Sequence, residues 1–198
     1  MIRGRDIFKI FNPIFTFFII LLKPFPLFFR KWLLVIFRNV KGLFGIGIRY
    51  VLLKSISKEC GSNVSVHPNV YLFSPEKLSL GSNISIHPMC YIDAVGEVEI
   101  GDNVSIAHAT TILSSTHIFS DLQKNIKDQG LELKKTTIEN NVWLGAKSTI
   151  LCGLLIREGS VIGANSVVTK NVNVNSIVVG SPGKLINNRR MKFDDKNT

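Results

Sequence analysis

Residues 80–106 read LGSNISIHPMCYIDAVGEVEIGDNVSI, and an aliphatic side chain recurs through them at Leu80, Ile86, Ile92, Ile100 and Ile106. Toward the N-terminus the same ladder runs back through Leu72, Val66 and Cys60. Toward the C-terminus it continues through Ile112 and Ile118, then resumes as Ile138, Leu144, Ile150, Ile156, Ile162 and Val168. All sixteen positions hold Ile, Leu, Val or Cys, and glycine follows at Gly61, Gly81, Gly101, Gly145 and Gly163. A period of six fits neither the two-residue alternation of a plain strand nor the 3.6-residue repeat of an amphipathic helix. It is the period of a chain that coils, each turn stacking on the last as a parallel β-helix.

The glycines set the length of a coil. Gly145 and Gly163 are 18 apart, which is three hexapeptides, one for each side of a triangular coil. Gly61, Gly81 and Gly101 are 20 apart, so the early coils carry two extra residues at a corner. The segments GSNVSVHP (61–68) and GSNISIHP (81–88) are near-copies one coil apart. The reading is an all-β domain of about five coils, with aliphatic columns inside and glycines where a Cβ would crowd a corner.

Charge divides the chain in two. Residues 1–58 carry eleven Lys or Arg and one acid, Asp6, whereas residues 59–198 carry thirteen of each sign. The net charge of +10 therefore belongs to the segment before Glu59, and a neutral coil domain argues against a nucleic-acid-binding core. The same segment holds ten of the thirteen Phe and one of the two Trp. Its longest uncharged run, Ile10 to Leu22, is 13 residues and contains Pro13, short of the roughly 20 that a spanning helix needs. No small-residue cleavage site follows, so a signal peptide is not expected. The basic residues around Arg30, Lys31, Arg38 and Lys41 recur at spacings that place them along one helical stripe. The segment is expected to be an apolar, basic helical pair lying on the anionic inner face of the plasma membrane. A helical cap over the open end of the coil is the alternative.

Cys60 falls on the ladder as a small core hydrophobe, while Cys90 and Cys152 lie elsewhere in the coils. An odd number without framework spacing points to reduced thiols and a cytoplasmic setting.

Between Ile118 and Ile138 the ladder stops for the polar, Lys-rich FSDLQKNIKDQGLELKKTT. This stretch cannot continue the stack and is expected to loop out of it, over 119–137, with His117 at its base. Long loops on rigid scaffolds are where function concentrates.

At this point the residues resemble the hexapeptide-repeat acyltransferases, a family of left-handed β-helix trimers. SSTHIFSD (114–121) resembles the family's histidine motif. NNVWLGAKSTIL (140–151), SVIGANSVVTKNV (160–172) and VVGSPGKLI (178–186) resemble its later signatures, in order. The likeness spans roughly 59–187 and is greatest to maltose and galactoside acetyltransferases and bacterial polysaccharide O-acetyltransferases. The family's sugar-enzyme helical N-terminal domain is missing here, replaced by the apolar basic segment. The domains read as 1–58, the coil at 59–185, and a basic tail at 186–198.

The resemblance implies transfer of an acetyl group from acetyl-coenzyme A to a sugar hydroxyl in a cell-surface polysaccharide or its lipid-linked precursor, in a homotrimer and without a metal. Such a transfer needs a base near neutrality, a role that suits histidine. His117 takes that role, and the backbone N–H of Ala146 is placed by the likeness to receive the oxyanion. Trp143 would pack beside the pantetheine arm. Ala164, Thr169 and Lys170 match positions lining the coenzyme channel, and Lys184, with Arg189 or Arg190, would meet the phosphates. The family prefers arginine at position 184 and again at 187, where this chain has Asn187. His87 stands where sugar acetyltransferases carry an acceptor-binding asparagine. For each of these the plain alternative is a solvated or corner-filling side chain. His67, one coil before His87, reads as structural, and His108 has no motif behind it.

Three other functions compete with this one. A carbonic anhydrase of this fold needs a closely spaced histidine pair for zinc, and the histidine spacings here are 20, 21 and 9. An N-acyltransferase acting on an amino sugar nucleotide fits a histidine at a loop base equally well. A membrane-bound scaffold without activity would not need His117, Trp143 and GANSVVTK together.

Overall fold

The computed structural model describes residues 4–189. Three helices precede the coils: α1 (Gly4–Leu22), α2 (Leu27–Ile36) and α3 (Gly42–Ile56), with a 3₁₀ turn at Phe37–Asn39 between the last two. From Glu59 onward the chain is a parallel β-helix of five complete coils and a partial sixth.

Each coil lays one short strand on each of three faces. The first face stacks Glu59–Cys60, Leu78–Leu80, Val98–Ile100, Thr136–Ile138 and Leu155–Ile156. The second stacks Ser65–Val66, Ser85–Ile86, Ser105–Ile106, Trp143–Leu144, Val161–Ile162 and Ser176–Val179, and is closed by the antiparallel strand Lys184–Asn188. The third stacks Tyr71–Phe73, Tyr91–Asp93, Thr111–Ile112, Thr149–Ile150 and Val167–Val168. Register steps along Ser65↔Ser85↔Ser105 in the early coils and shortens later, as in Trp143↔Val161, matching the two glycine spacings. The ladder residues from Leu80 to Ile112 and from Ile138 to Val168 point inward and are buried. Burial of each contributes on the order of 1.5–3 kcal/mol.

The ladder glycines are there for space. None has a positive φ. A Cβ on Gly145 would stand 2.6 Å from the Ala164 nitrogen of the next coil. The left-handed corners fall instead on residues such as Asn63, Asn83 and Asn103, whose side chains also bond coil to coil: Asn63 Nδ2 donates to Asn83 Oδ1 at 3.0 Å. Asparagine tolerates that conformation better than most side chains do.

One position leaves the expected ladder. Ile118 is exposed, and the last regular strand before the break is Thr111–Ile112. Ser115–His117 runs outward and pairs antiparallel with Leu131–Leu133, so the break is a hairpin with His117 at the outer end of its ladder rather than at its base. Thr136 and Thr137 are already back in the first face. At the C-terminus, residues 184–188 form the closing strand rather than a free tail.

The helices both cap the stack and leave a large apolar surface. Tyr50 and Leu53 of α3 enter the main core, and Leu52 and Ile56 meet Leu34 of α2. Phe8 and Phe15 of α1 pack edge-on against Tyr50, with ring centroids at 4.9 and 5.5 Å. Outside that stripe α1 and α2 expose Ile10, Phe17, Ile20, Phe28 and Trp32. The basic residues do not form the expected stripe, because they sit on different elements and three of them turn toward the body while Lys41 stays exposed. Arg30 bonds the Ser55 carbonyl, Lys31 pairs with Glu76 at 3.1 Å, and the Arg38 guanidinium lies 4.1 Å over the Tyr71 ring. No described helix is long and apolar enough to cross a membrane.

Candidate active site

The hydrogen bonds of one corner define the chemistry available there. Pro68, Pro88, His108, Ala146 and Ala164 occupy equivalent positions between the second and third faces, two residues past the paired Val66, Ile86, Ile106, Leu144 and Ile162. Coils are joined at this corner by the next residue along: Ala109 N–H donates to Pro88 O, Lys147 to His108 O, and Asn165 to Ala146 O, at 2.9–3.0 Å. The N–H of position 146 takes no part in that bonding. Its equivalents at 68 and 88 are prolines, which have no N–H to give. The Ala146 N–H is thus left over by the fold, three residues after the half-exposed Trp143 and next to the exposed Ala164 of the following coil. Gly145 keeps the backbone of the two coils in close approach here.

His87 belongs to the same corner, one residue before Pro88 and in column with Ala107 and Gly145. Two coil spacings, about 10 Å, separate it from Gly145. Its ring stacks on His67 with centroids 4.9 Å apart and planes 13° apart. Burial, followed by the nearby His87 and Arg49, lowers the pKa of His67. A histidine whose folded pKa is depressed supports folding above its ordinary value near 6.5, and that support is lost as pH falls through the depressed value. His67→Gln should therefore lose less thermal stability than wild type between pH 7 and pH 5. Parallel melting curves would dismiss this role.

His117 lies off the opposite edge of the third face. The hairpin that carries it leaves after Thr111–Ile112, and its imidazole is exposed and makes no hydrogen bond among the described residues. The hairpin's root is clamped by Asp93, a buried carboxylate that accepts from the Ser115 hydroxyl and from the Val95 N–H. Ser114 adds a second clamp, donating to Asp93 O at 2.6 Å and accepting from Gly96 N–H at 2.8 Å. Nothing in the local sequence marks Asp93 for this role beyond a carboxylate next to a ladder residue.

Thr169 and Lys170 follow the last third-face strand, so they share the hairpin's edge, and both are exposed. Lys170 borders a cavity of about 180 Å³ at the C-terminal end, with Val172, Val178, Gly183 and Leu185. Lys184 is exposed at the start of the closing strand, opposite Val179. Asn187 faces Ile177 in the same ladder. Arg189 gives one Nη to the Gly159 carbonyl at 2.6 Å, while Arg190 lies outside the described residues.

The expected residues therefore fall into two groups. His87, Ala146 and Ala164 lie at the corner that leads into the third face, with Trp143 on the second-face strand just before it; His117, Thr169 and Lys170 line the far edge of the third face, and Lys184 lies apart on the closing strand. Neither the C-terminal cavity nor the one beside α2 includes His117, Trp143 or Ala146. Two thiols lie near these groups, Cys90 behind the first and Cys152 in register with Lys170 at the second. Cys90 is buried with its Sγ 3.0 Å from Ala107 O, and burial pushes it up to about 11. Among the described residues, no group of three or more His, Cys, Asp or Glu is placed to hold a metal ion.

Comparison with known proteins agrees with this architecture. Residues 135–170 match the family described as the hexapeptide repeat of succinyl-transferase. Galactoside O-acetyltransferase of Escherichia coli is 34% identical over 139 residues, which is 70% of this chain and 67% of that protein. A maltose O-acetyltransferase from Clostridium difficile superposes with a TM-score of 0.72 at 29% identity, covering 81% of this chain and 84% of that one. A galactoside acetyltransferase solved in complex with coenzyme A gives a TM-score of 0.72 at 30% identity, covering 81% and 78%. Other curated relatives, among them a probable acetyltransferase of Mycobacterium tuberculosis, are matched over only 26–35% of their own lengths. Sequence identity across the coils and a shared fold together mean that this chain belongs to the hexapeptide-repeat acetyltransferases of the galactoside and maltose O-acetyltransferase type.

Proposed function

We propose that the protein transfers an acetyl group from acetyl-coenzyme A to a sugar hydroxyl of a cell-surface polysaccharide or its lipid-linked precursor. The observation that carries this reading is the Ala146 N–H, left unused by the coil bonding in a corner of small residues that follows the Trp143 strand. In the proposed reaction His117 removes the hydroxyl proton as the sugar oxygen attacks the thioester carbonyl. A carbon–oxygen bond forms, and the carbonyl electrons move onto an oxyanion that accepts from the Ala146 N–H. Collapse of that intermediate breaks the carbon–sulfur bond. The thiolate of coenzyme A leaves and takes the proton back from the His117 imidazolium. Trp143, Ala164, Thr169, Lys170 and Lys184 bind the coenzyme. Incubation with isotope-labelled acetyl-coenzyme A and glycan fractions, read by mass spectrometry, tests the assignment. Label on a sugar oxygen supports it; label on nitrogen, or hydrolysis alone, overturns it.

His87 binds the acceptor in this reading. His87→Ala should raise the acceptor KM several-fold more than the coenzyme KM, because the lost contact is to the hydroxyl partner. Equal KM values would return His87 to a role in the stack with His67.

The working form is a homotrimer with sites between subunits. The two groups of site residues occupy opposite edges of one face, so a neighbour's edge is needed to bring them together. Light scattering in detergent should give three chains per particle; a fully active single chain excludes the arrangement.

The protein also lies on the cytoplasmic side of a membrane through its first helices. With Arg30, Lys31 and Arg38 turned inward, the main contribution comes from the apolar side chains of α1 and α2, at about 0.025 kcal/mol per Å² buried.

A further inference from the structure

Between α2 and the first coil lies a cavity of about 190 Å³, far more than one water requires. Leu34 and Val35 of α2 form one wall, and Val66, Val70 and Leu72 form the other. Against this apolar lining stand three cations, Lys31, Arg38 and Arg49. Among the described residues only Lys31 of the three has a carboxylate partner, Glu76.

Arg49 is 1% exposed. Its Nε donates to Val66 O at 2.8 Å, and one Nη donates to Phe37 O and Val40 O at 3.0 and 2.7 Å. Its other Nη is buried without any partner among the described residues, and so is the Nε of Arg38. A guanidinium taken out of water with no counter-charge is destabilising, so the enclosed Arg49, flanked by the half-buried Arg38 on the Tyr71 ring, calls for an anion. Guanidinium groups bind phosphate oxygens in a fixed fork geometry.

The rim supplies the second half of the recognition. Val35 lines the cavity yet is 58% exposed, and beyond it α2 presents Phe28 and Trp32 at 74% and 56% exposure. An apolar chain leaving the cavity would run directly onto that surface. From these contacts we infer that the cavity binds the phosphate headgroup of a lipid, with Arg38 and Arg49 holding the phosphate and the hydrocarbon lying along α2. The strand beside the cavity, Tyr71–Phe73, is in the same face as Thr111–Ile112, two strand spacings or about 10 Å away, where the His117 hairpin departs. A sugar joined to such a phosphate would extend toward that hairpin. The placement of the hydrocarbon along α2 rests on the membrane reading of α1 and α2, whereas the phosphate site stands on Arg38 and Arg49 and is independent of the catalytic assignments.

The test uses the full chain in an uncharged detergent and three probes: dihexanoyl phosphatidic acid, dihexanoyl phosphatidylcholine and inorganic phosphate. Calorimetry should show saturable binding of one phosphatidic acid per chain, about tenfold or more tighter than the other two probes. Arg38→Gln should weaken it by about tenfold, and Arg38→Lys by less. Val35→Glu, which places a carboxylate on the exposed rim, should weaken it as well. Equal affinity for inorganic phosphate overturns the lipid assignment. Absence of saturable binding, or unchanged binding in both Arg38→Gln and Val35→Glu, overturns the site. Flotation of the wild-type chain on vesicles of phosphatidylcholine and phosphatidylglycerol reports the membrane reading separately. Flotation without phosphatidic acid binding removes the site alone, and binding without flotation removes the membrane reading alone.

Discussion

His117→Ala should lower kcat by about 10²–10⁴ while leaving the melting temperature close to that of wild type. Both halves follow from where the residue sits. A sugar hydroxyl is barely ionised at neutral pH, so losing the group that takes its proton acts on the chemical step. His117 is nevertheless exposed, at the outer end of a three-pair hairpin ladder, and its imidazole makes no bond that the fold needs. The hairpin itself is held by Asp93, Ser114 and Ser115. The measurement is steady-state kinetics with acetyl-coenzyme A and a galactoside or glycan acceptor, alongside a thermal melt. Turnover within a few-fold of wild type would remove His117 from the mechanism. A collapse in melting temperature would mean that it is structural.

Ala146→Pro is a sharper test, because it deletes one hydrogen-bond donor and leaves the corner otherwise able to form. Proline already occupies the equivalent position at Pro68 and Pro88. The residue before a proline must avoid the helical region, and Gly145 is in register with His67 and His87, which already precede prolines. The expected result is a loss of about 10²–10³ in kcat, the usual consequence of removing one oxyanion donor, in a protein that still assembles and melts normally. Ala146→Ser, which keeps the N–H, should stay near wild type. Retained activity in Ala146→Pro would show that the oxyanion is held elsewhere. If sites form between neighbours, mixing equal amounts of the His117→Ala and Ala146→Pro chains and reassembling them should restore about one site in four, since each of the two contributing chains is intact at its own residue about half the time. Two inactive variants that stay inactive together would place both residues in one subunit's site.

Much of this could be read from sequence because a solenoid repeats its instructions. Leu80, Ile86 and Ile92 occur in equivalent surroundings on successive faces, so one aliphatic choice is written over and over. The two glycine spacings reappear directly as strand register, Ser65 to Ser85 in an early coil and Trp143 to Val161 in a late one. What failed was the edge of the pattern. Ile118 has the right residue type and spacing, but the serines before it turn the chain outward onto Asp93, a contact between distant positions that no local period encodes. The basic residues of the first helices failed for a related reason. Spacing along one imagined helix could not foresee a turn at Phe37–Asn39, nor that Arg38 would lie on Tyr71 and Arg49 would be buried against backbone carbonyls. The candidate site residues stand out in the sequence as motifs, and their roles are proposals. Their division between two edges of a face does not stand out, because the sequence does not say which edge a residue occupies relative to a neighbour.

The cap formed by α3 also bears on the order in which the molecule is made. A coil can form only against an edge already present, and a bare edge is a template for pairing with any other extended chain. In this protein the cap is translated before the coils, with Tyr50 and Leu53 ready to receive the first turn. Each later coil can then be laid down as it leaves the ribosome, on a foundation already covered on its far side. The one growing edge moves steadily toward the C-terminus, until Lys184–Asn188 turns back and closes the second face.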